Sequence, residues 1–177
     1  MSGETDAEIT NEQRPSKLLL GMILVMGAFG VMGGGLVAPA LPAIGSAFSA
    51  PEEQLGLILS IYTISAAISL PVIGYFIDTL GRRRVALFCL ALDGIAGLGS
   101  ILAPGFGILL IWRFLQGIGV AGLIPVAMTI ISDLFSGKNK LKVMGFLTGT
   151  ISVGAVIIPF LGGVLPSGEF LCSGGLE

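Results

Sequence analysis

Charge is missing from most of the length of this 177-residue chain. No Lys, Arg, Asp or Glu occurs from Leu18 to Pro51, Gln54 to Ile77, Val85 to Leu92, Gly94 to Trp112, Phe114 to Ser132 or Val143 to Gly168. An unbroken bilayer-spanning segment must satisfy its own backbone hydrogen bonds, which restricts such runs to helices. Each span needs about 20 apolar residues at a rise of about 1.5 Å. The runs predict an all-α membrane protein with five spans, at residues 18–40, 54–78, 85–103, 107–131 and 143–165. The third and fourth each contain one charge, Asp93 and Arg113, and Pro104-Gly105 separates them. Only 11% of residues are charged, against about 25% in a soluble domain. That is too few to cover a water-facing surface.

The nine Lys and Arg sort by side. Arg14 and Lys17 precede the first span, Arg82, Arg83 and Arg84 follow the second, and Lys138, Lys140 and Lys142 follow the fourth. Eight of nine therefore sit on alternate loops, which puts the N-terminus in the cytoplasm. The first span is not a removable leader, because Glu4, Asp6, Glu8 and Glu12 replace the basic start a leader carries. Residues 1–16 read as an acidic, disordered cytoplasmic tail, and residues 166–177 as a polar, Gly-rich one. Ser49-Ala50-Pro51-Glu52 reads as a capping box opening the second span.

Glycine pairs Gly30/Gly34 and Gly145/Gly149, with Gly117/Ala121, have the four-residue spacing that lets helix backbones approach closely. Pro71, Pro125 and Pro159 lie inside spans, where each removes a ladder bond and kinks its helix. Gly117 to Gly122 spell G-x-G-x-x-G, but no strand precedes them and no acid follows at the dinucleotide spacing, so nucleotide binding is not expected. The chain has no His, and Cys89 and Cys172 are far apart, which argues against zinc sites, Ser-His triads and disulfide frameworks. No cofactor is expected. Three Arg beside a membrane span are a topology signal, and no nucleic-acid partner is expected. Asp78 and Asp93 lack the Gly-x-Gly-Asp setting of an intramembrane protease, and an enzyme is not expected.

The string GYFIDTLGRRR resembles the loop signature of the major facilitator superfamily, G-x-x-x-D-x-x-G-R-[RK], with Gly74, Asp78, Gly81, Arg82 and Arg83 in its fixed positions. Pro39 to Ile44 is similar to the outer end of that family's first helix. Arg113, Gln116, Gly117 and Gly119 are similar to its fourth-helix pattern R-x-x-Q-G-x-G. Gly145, Gly154, Pro159, Gly162 and Gly163 are similar to the fifth-helix pattern of its antiporters, with Ile158 where a Gly is expected.

The resemblance implies a proton-coupled exporter of drugs or other small molecules in the plasma membrane. It implies that Asp78, Arg82 and Asp133 form a charge cluster that locks one state of an alternating-access cycle, while topology alone stays open as the role of Arg83 and Arg84. It implies that Arg113 tunes a carboxylate that carries the proton. Asp93 is the one carboxylate deep in a span, and a structural Asp93–Arg113 pair stands beside the proton-carrier reading. Family members have twelve helices and this chain supplies five, so it reads as a truncated or frameshifted product, or a fragment, unable to transport alone. Its partners would be lipid, a small-molecule substrate and protons, and a missing second half. The alternative is a non-transporting remnant, or an interaction partner of another membrane protein.

Overall fold

The computed structural model describes residues 17–49 and 51–173, with side chains for residues 19–49 and 51–161. Within that range there are six helices: α1 (Lys17–Gly35), α2 (Val37–Phe48), α3 (Glu52–Leu80), α4 (Arg82–Ile101), α5 (Phe106–Leu134) and α6 (Gly137–Ser173). Residues 1–16 lie outside the described part. Four helices are long and apolar enough to cross a membrane, and α1 with α2 forms a fifth candidate bent by 42°.

The bend falls inside what the charge-free run presents as one span, and it has a local cause. Gly33-Gly34-Gly35 is a weak helix former, and Pro39 can neither donate to the Gly35 carbonyl nor avoid crowding it. The chain breaks at Leu36, whose N–H makes the last bond of α1, 3.1 Å to the Met32 carbonyl. α2 ends on Ser49, which adopts a left-handed conformation at φ 50°. This corrects the capping-box expectation: Ser49 closes α2, while Pro51 precedes α3 and no side chain caps its start. Glu52 and Glu53 in the first turn suit the positive end of the α3 dipole.

Boundaries also move elsewhere. Arg82, Arg83 and Arg84 form the first turn of α4 rather than a loop, because one residue, Gly81, makes the whole turn at φ 86° and ψ 145°. That region is open to glycine and closed to side chains. α6 starts six residues before the predicted span and stays helical past residue 165 to Ser173, since a single Pro removes one bond without ending a helix. Residues 166–173 are thus part of that helix, and 174–177 lie outside the described residues.

α5 is the axis of the bundle. It packs against α3 and α4, and less extensively against α1, while α6 packs on α1 and α2. Ile23 and Met26 of α1, Ile73 and Ile77 of α3, Cys89 of α4 and Leu123, Val126 and Ile131 of α5 meet in the main core. A second cluster at the far end gathers Val37, Ile58 and Leu109. Large apolar side chains on the outer faces, such as Ile68, Ile95 and Phe160, remain exposed, as lipid-facing residues of a membrane protein do.

Candidate functional site

The glycines of α5 determine how closely its neighbours approach, and thereby the site. A Cβ on Gly117 would strike the Ser65 hydroxyl and the Tyr62 carbonyl of α3. One on Gly119 would lie 2.7 Å from the Asp93 backbone nitrogen of α4. One on Gly122 would meet Cys89 Sγ and Ile73. The G-x-G-x-x-G string is therefore a close-packing surface for two helices. It brings Asp93 alongside Gln116 and Arg113.

Arg113 donates from one terminal nitrogen to Gln116 Oε1 at 2.8 Å, and to the Gly33 carbonyl at 3.5 Å. That carbonyl is free because the ladder of α1 stops one residue earlier, at Met32. The Gln116 side chain also lies beside Asp93, and both line the same cavity. The amide thus stands between guanidinium and carboxylate, and the described residues contain no direct Asp93–Arg113 ion pair. Asp93 is 6% exposed, and its Oδ1 accepts no hydrogen bond; the buried Nε of Arg113 likewise lacks a partner. Both residues, with Gln116, line a cavity of about 480 Å³ walled by Phe29, Met32 and Leu98.

Two members of this cluster escaped the sequence reading. The Tyr62 hydroxyl lies close against the Gly33 backbone, where an added Cβ would be 2.7 Å away, next to the carbonyl that Arg113 reaches. The Gly33 carbonyl is the other. Tyr62 is one of only two tyrosines in the chain, which was its only signal. A backbone carbonyl leaves none.

At the basic end of the bundle Arg82 of α4 pairs with Asp133 in the last turn of α5, their side chains 41% and 31% exposed. Asp78 does not join them. Ile73 and Ile77 take the buried face of α3, and Asp78 lies one residue further round, on the exposed face. Arg83 and Arg84 are exposed. Gly74 has open space where a Cβ would go, and so have Gly145 and Gly149. Gly154 contacts Ile158 of its own helix, while Ile158 and Pro159 pack against Gly35 of α1. Gly162 and Gly163 fall where only the helical backbone of α6 is described.

Helices able to cross a bilayer, an ion pair at one end and a buried polar cluster beside a cavity define a multi-pass membrane protein of transporter type. Residues 20–170 match the profile of the Major Facilitator Superfamily, and the chain belongs to that superfamily. It is 34% identical over 144 residues to the bacillibactin exporter of Bacillus subtilis, covering 77% of this chain and 36% of that protein. It is 31% identical over 154 residues to the class H tetracycline resistance protein of Pasteurella multocida, covering 85% and 37%. The multidrug transporter protein MdtP of Bacillus subtilis matches at 31% over 159 residues, covering 88% and 29%. The chain thus spans about a third of the length of these relatives. The match is to transport and drug-resistance proteins, one of them named an exporter, rather than to enzymes.

Proposed function

We propose that this chain forms the first part of a proton-coupled exporter of small molecules in the plasma membrane. One observation carries the reading: a buried carboxylate, Asp93, beside Gln116, which accepts from the partly buried guanidinium of Arg113, at the edge of a cavity. A charge within a span is costly and is retained where it serves an ion or substrate path. Loading a proton on Asp93 would release Gln116 and Arg113 from its charge. The contact of Arg113 with the Gly33 carbonyl at the bend gives that change a route to α1.

The Arg82–Asp133 pair is proposed as the latch of the cytoplasmic end, with Asp78 outside it. An attraction lost when two parts separate biases a two-state equilibrium toward the closed state. Substrate sites in such transporters lie between repeats, and the 177 residues by themselves supply one wall. The chain alone is proposed to insert without transporting, acting through a second half or another membrane protein.

The test joins residues 1–170 to the remaining part of the class H tetracycline resistance protein and follows tetracycline efflux from loaded cells. Efflux that stops with a protonophore, and that Asp93→Asn abolishes at normal membrane insertion, supports the reading. Efflux that persists without a proton gradient overturns the coupling. Efflux unchanged by Asp93→Asn removes that residue from it.

A further inference from the structure

The three arginines that open α4 face three ways. Successive residues of a helix are about 100° apart, and Arg82 turns to Asp133 of α5. Arg83 borders the α1 side of α4, and Arg84 borders the α3 side. Both are exposed, and among the described residues neither has an ion pair. They stand at the start of a helix, where the dipole disfavours cations, so neither stabilises α4. Neither enters the transport reading.

Arg84 lies at the mouth of a groove. α3 and α4 meet at the Gly81 elbow but pack far less on each other than either packs on α5. The gap between them is a hollow of about 590 Å³ that reaches Ile118 of α5. Ile68, Val72, Phe76 and Leu80, four residues apart and so on one face of α3, form one wall. Phe88, one turn beyond Arg84, borders the other. The lining is apolar apart from Ser69 and Arg84.

Dimensions and charge together select an occupant. From Ile68 to Leu80 the wall runs 12 residues, about 18 Å at 1.5 Å per residue. A spanning helix needs about 30 Å, whereas one leaflet of the core is about 15 Å deep. The groove therefore suits an acyl chain rather than another span. Its open end carries a guanidinium without a counter-charge. The sorting of Lys and Arg puts that end at the cytoplasmic surface, where anionic headgroups attract basic side chains.

We propose that the groove between α3 and α4 binds an anionic phospholipid of the cytoplasmic leaflet, with one acyl chain along Ile68 to Leu80 and the phosphate on Arg84. A lipid seated there touches both arms of the elbow. This holds whatever the protein transports.

The test reads lipid contact by fluorescence quenching in vesicles. Trp112→Phe removes the only Trp of the chain, and Phe88→Trp puts a reporter in the groove. Phe146→Trp, on an exposed position of α6 four residues beyond Lys142, is the comparison reporter. The 177-residue chain is reconstituted in mixtures of phosphatidylglycerol and phosphatidylcholine, with brominated acyl chains on one or the other. At Phe88→Trp, quenching should favour phosphatidylglycerol. Arg84→Gln should lower that preference about fivefold, the usual worth of one basic residue at an anionic surface, and Arg84→Lys should keep most of it. Arg83→Gln removes the same charge one residue away and should leave the Phe88→Trp reading unchanged. Arg84→Gln should likewise leave the Phe146→Trp reading unchanged, whereas a collapsed fold would move both reporters. Equal losses with Arg83→Gln and Arg84→Gln would mean diffuse attraction to a basic surface and overturn the site. With all three arginines present, equal quenching by the two lipids at Phe88→Trp would mean bulk lipid without selection. Quenching by neither would mean that a second copy of the chain covers the groove. Both results overturn the proposal.

Discussion

α5 and α6 both carry glycine at helical spacing and both are long and apolar enough to span the bilayer, but among the described residues only α5 uses those glycines against other helices of the bundle. Of an apolar 18-residue stretch of each helix, 56% is buried in α5, against 11% in the Gly137–Leu161 part of α6. Gly117, Gly119 and Gly122 touch α3 and α4, whereas Gly145 and Gly149 meet nothing within 4 Å. The same small-residue spacing thus marks a closed interface in one helix and an open face in the other. Glycine spacing reports that a backbone can be approached; it does not report which neighbour approaches it.

The sharpest way to break this contrast is at the polar residues of α5. Arg113→Leu leaves the Gln116 and Gly33 oxygens without their donor and should destabilise the folded protein by about 1–3 kcal/mol, read as loss of folded protein on heating in detergent. Arg113→Gln with Asp93→Asn should recover part of the single-variant losses, a coupling of about 0.5–3 kcal/mol. Strictly additive losses would mean that Gln116 does not link the two. Next comes the close approach itself. Gly117→Ala puts a methyl against the Tyr62 carbonyl, and backbone yields poorly, so a loss of about 1–3 kcal/mol is expected in the same assay.

The Arg82–Asp133 pair, although it ties α4 to α5, is partly in solvent. Arg82→Gln should cost at most about 1 kcal/mol, and the difference from the unaltered chain should shrink in 1 M salt, where charges are screened beyond about 3 Å. A large, salt-independent loss would make the pair a structural element rather than a latch. Smallest of all is the α6 face. Gly145→Ala and Gly149→Ala should range from neutral to about 1 kcal/mol stabilising, the ordinary gain of Ala over Gly in a helix. A loss like that of Gly117→Ala would erase the contrast between the two helices.

Much of the fold was legible in the residues, because a bilayer leaves a helix few alternatives. Charge-free runs marked the spans, and Pro104-Gly105 marked the break between α4 and α5. The bend at Leu36 was less visible: three glycines permit a break, but its position depends on Pro39 three residues further on. At the site, Asp93, Arg113 and Gln116 stood out as polar residues in apolar surroundings. Their arrangement did not, since the register of α4 on α5 depends on how Gly119 and Gly122 seat against Asp93 and Cys89. Asp78 was named from a motif, yet a motif does not say which way a side chain faces; Ile73 and Ile77 decide that.

Gly81 has a mechanical consequence. A loop of several residues would let α3 and α4 slide past one another, but a one-residue elbow leaves only two backbone torsions between Leu80 and Arg82. The two helices then stay joined at a short elbow, fastened to α5 by Arg82 and Asp133. Releasing that fastening cannot free α4 alone. Any swing of its basic end carries the adjoining end of α3 with it, so a single surface ion pair has leverage over two spans.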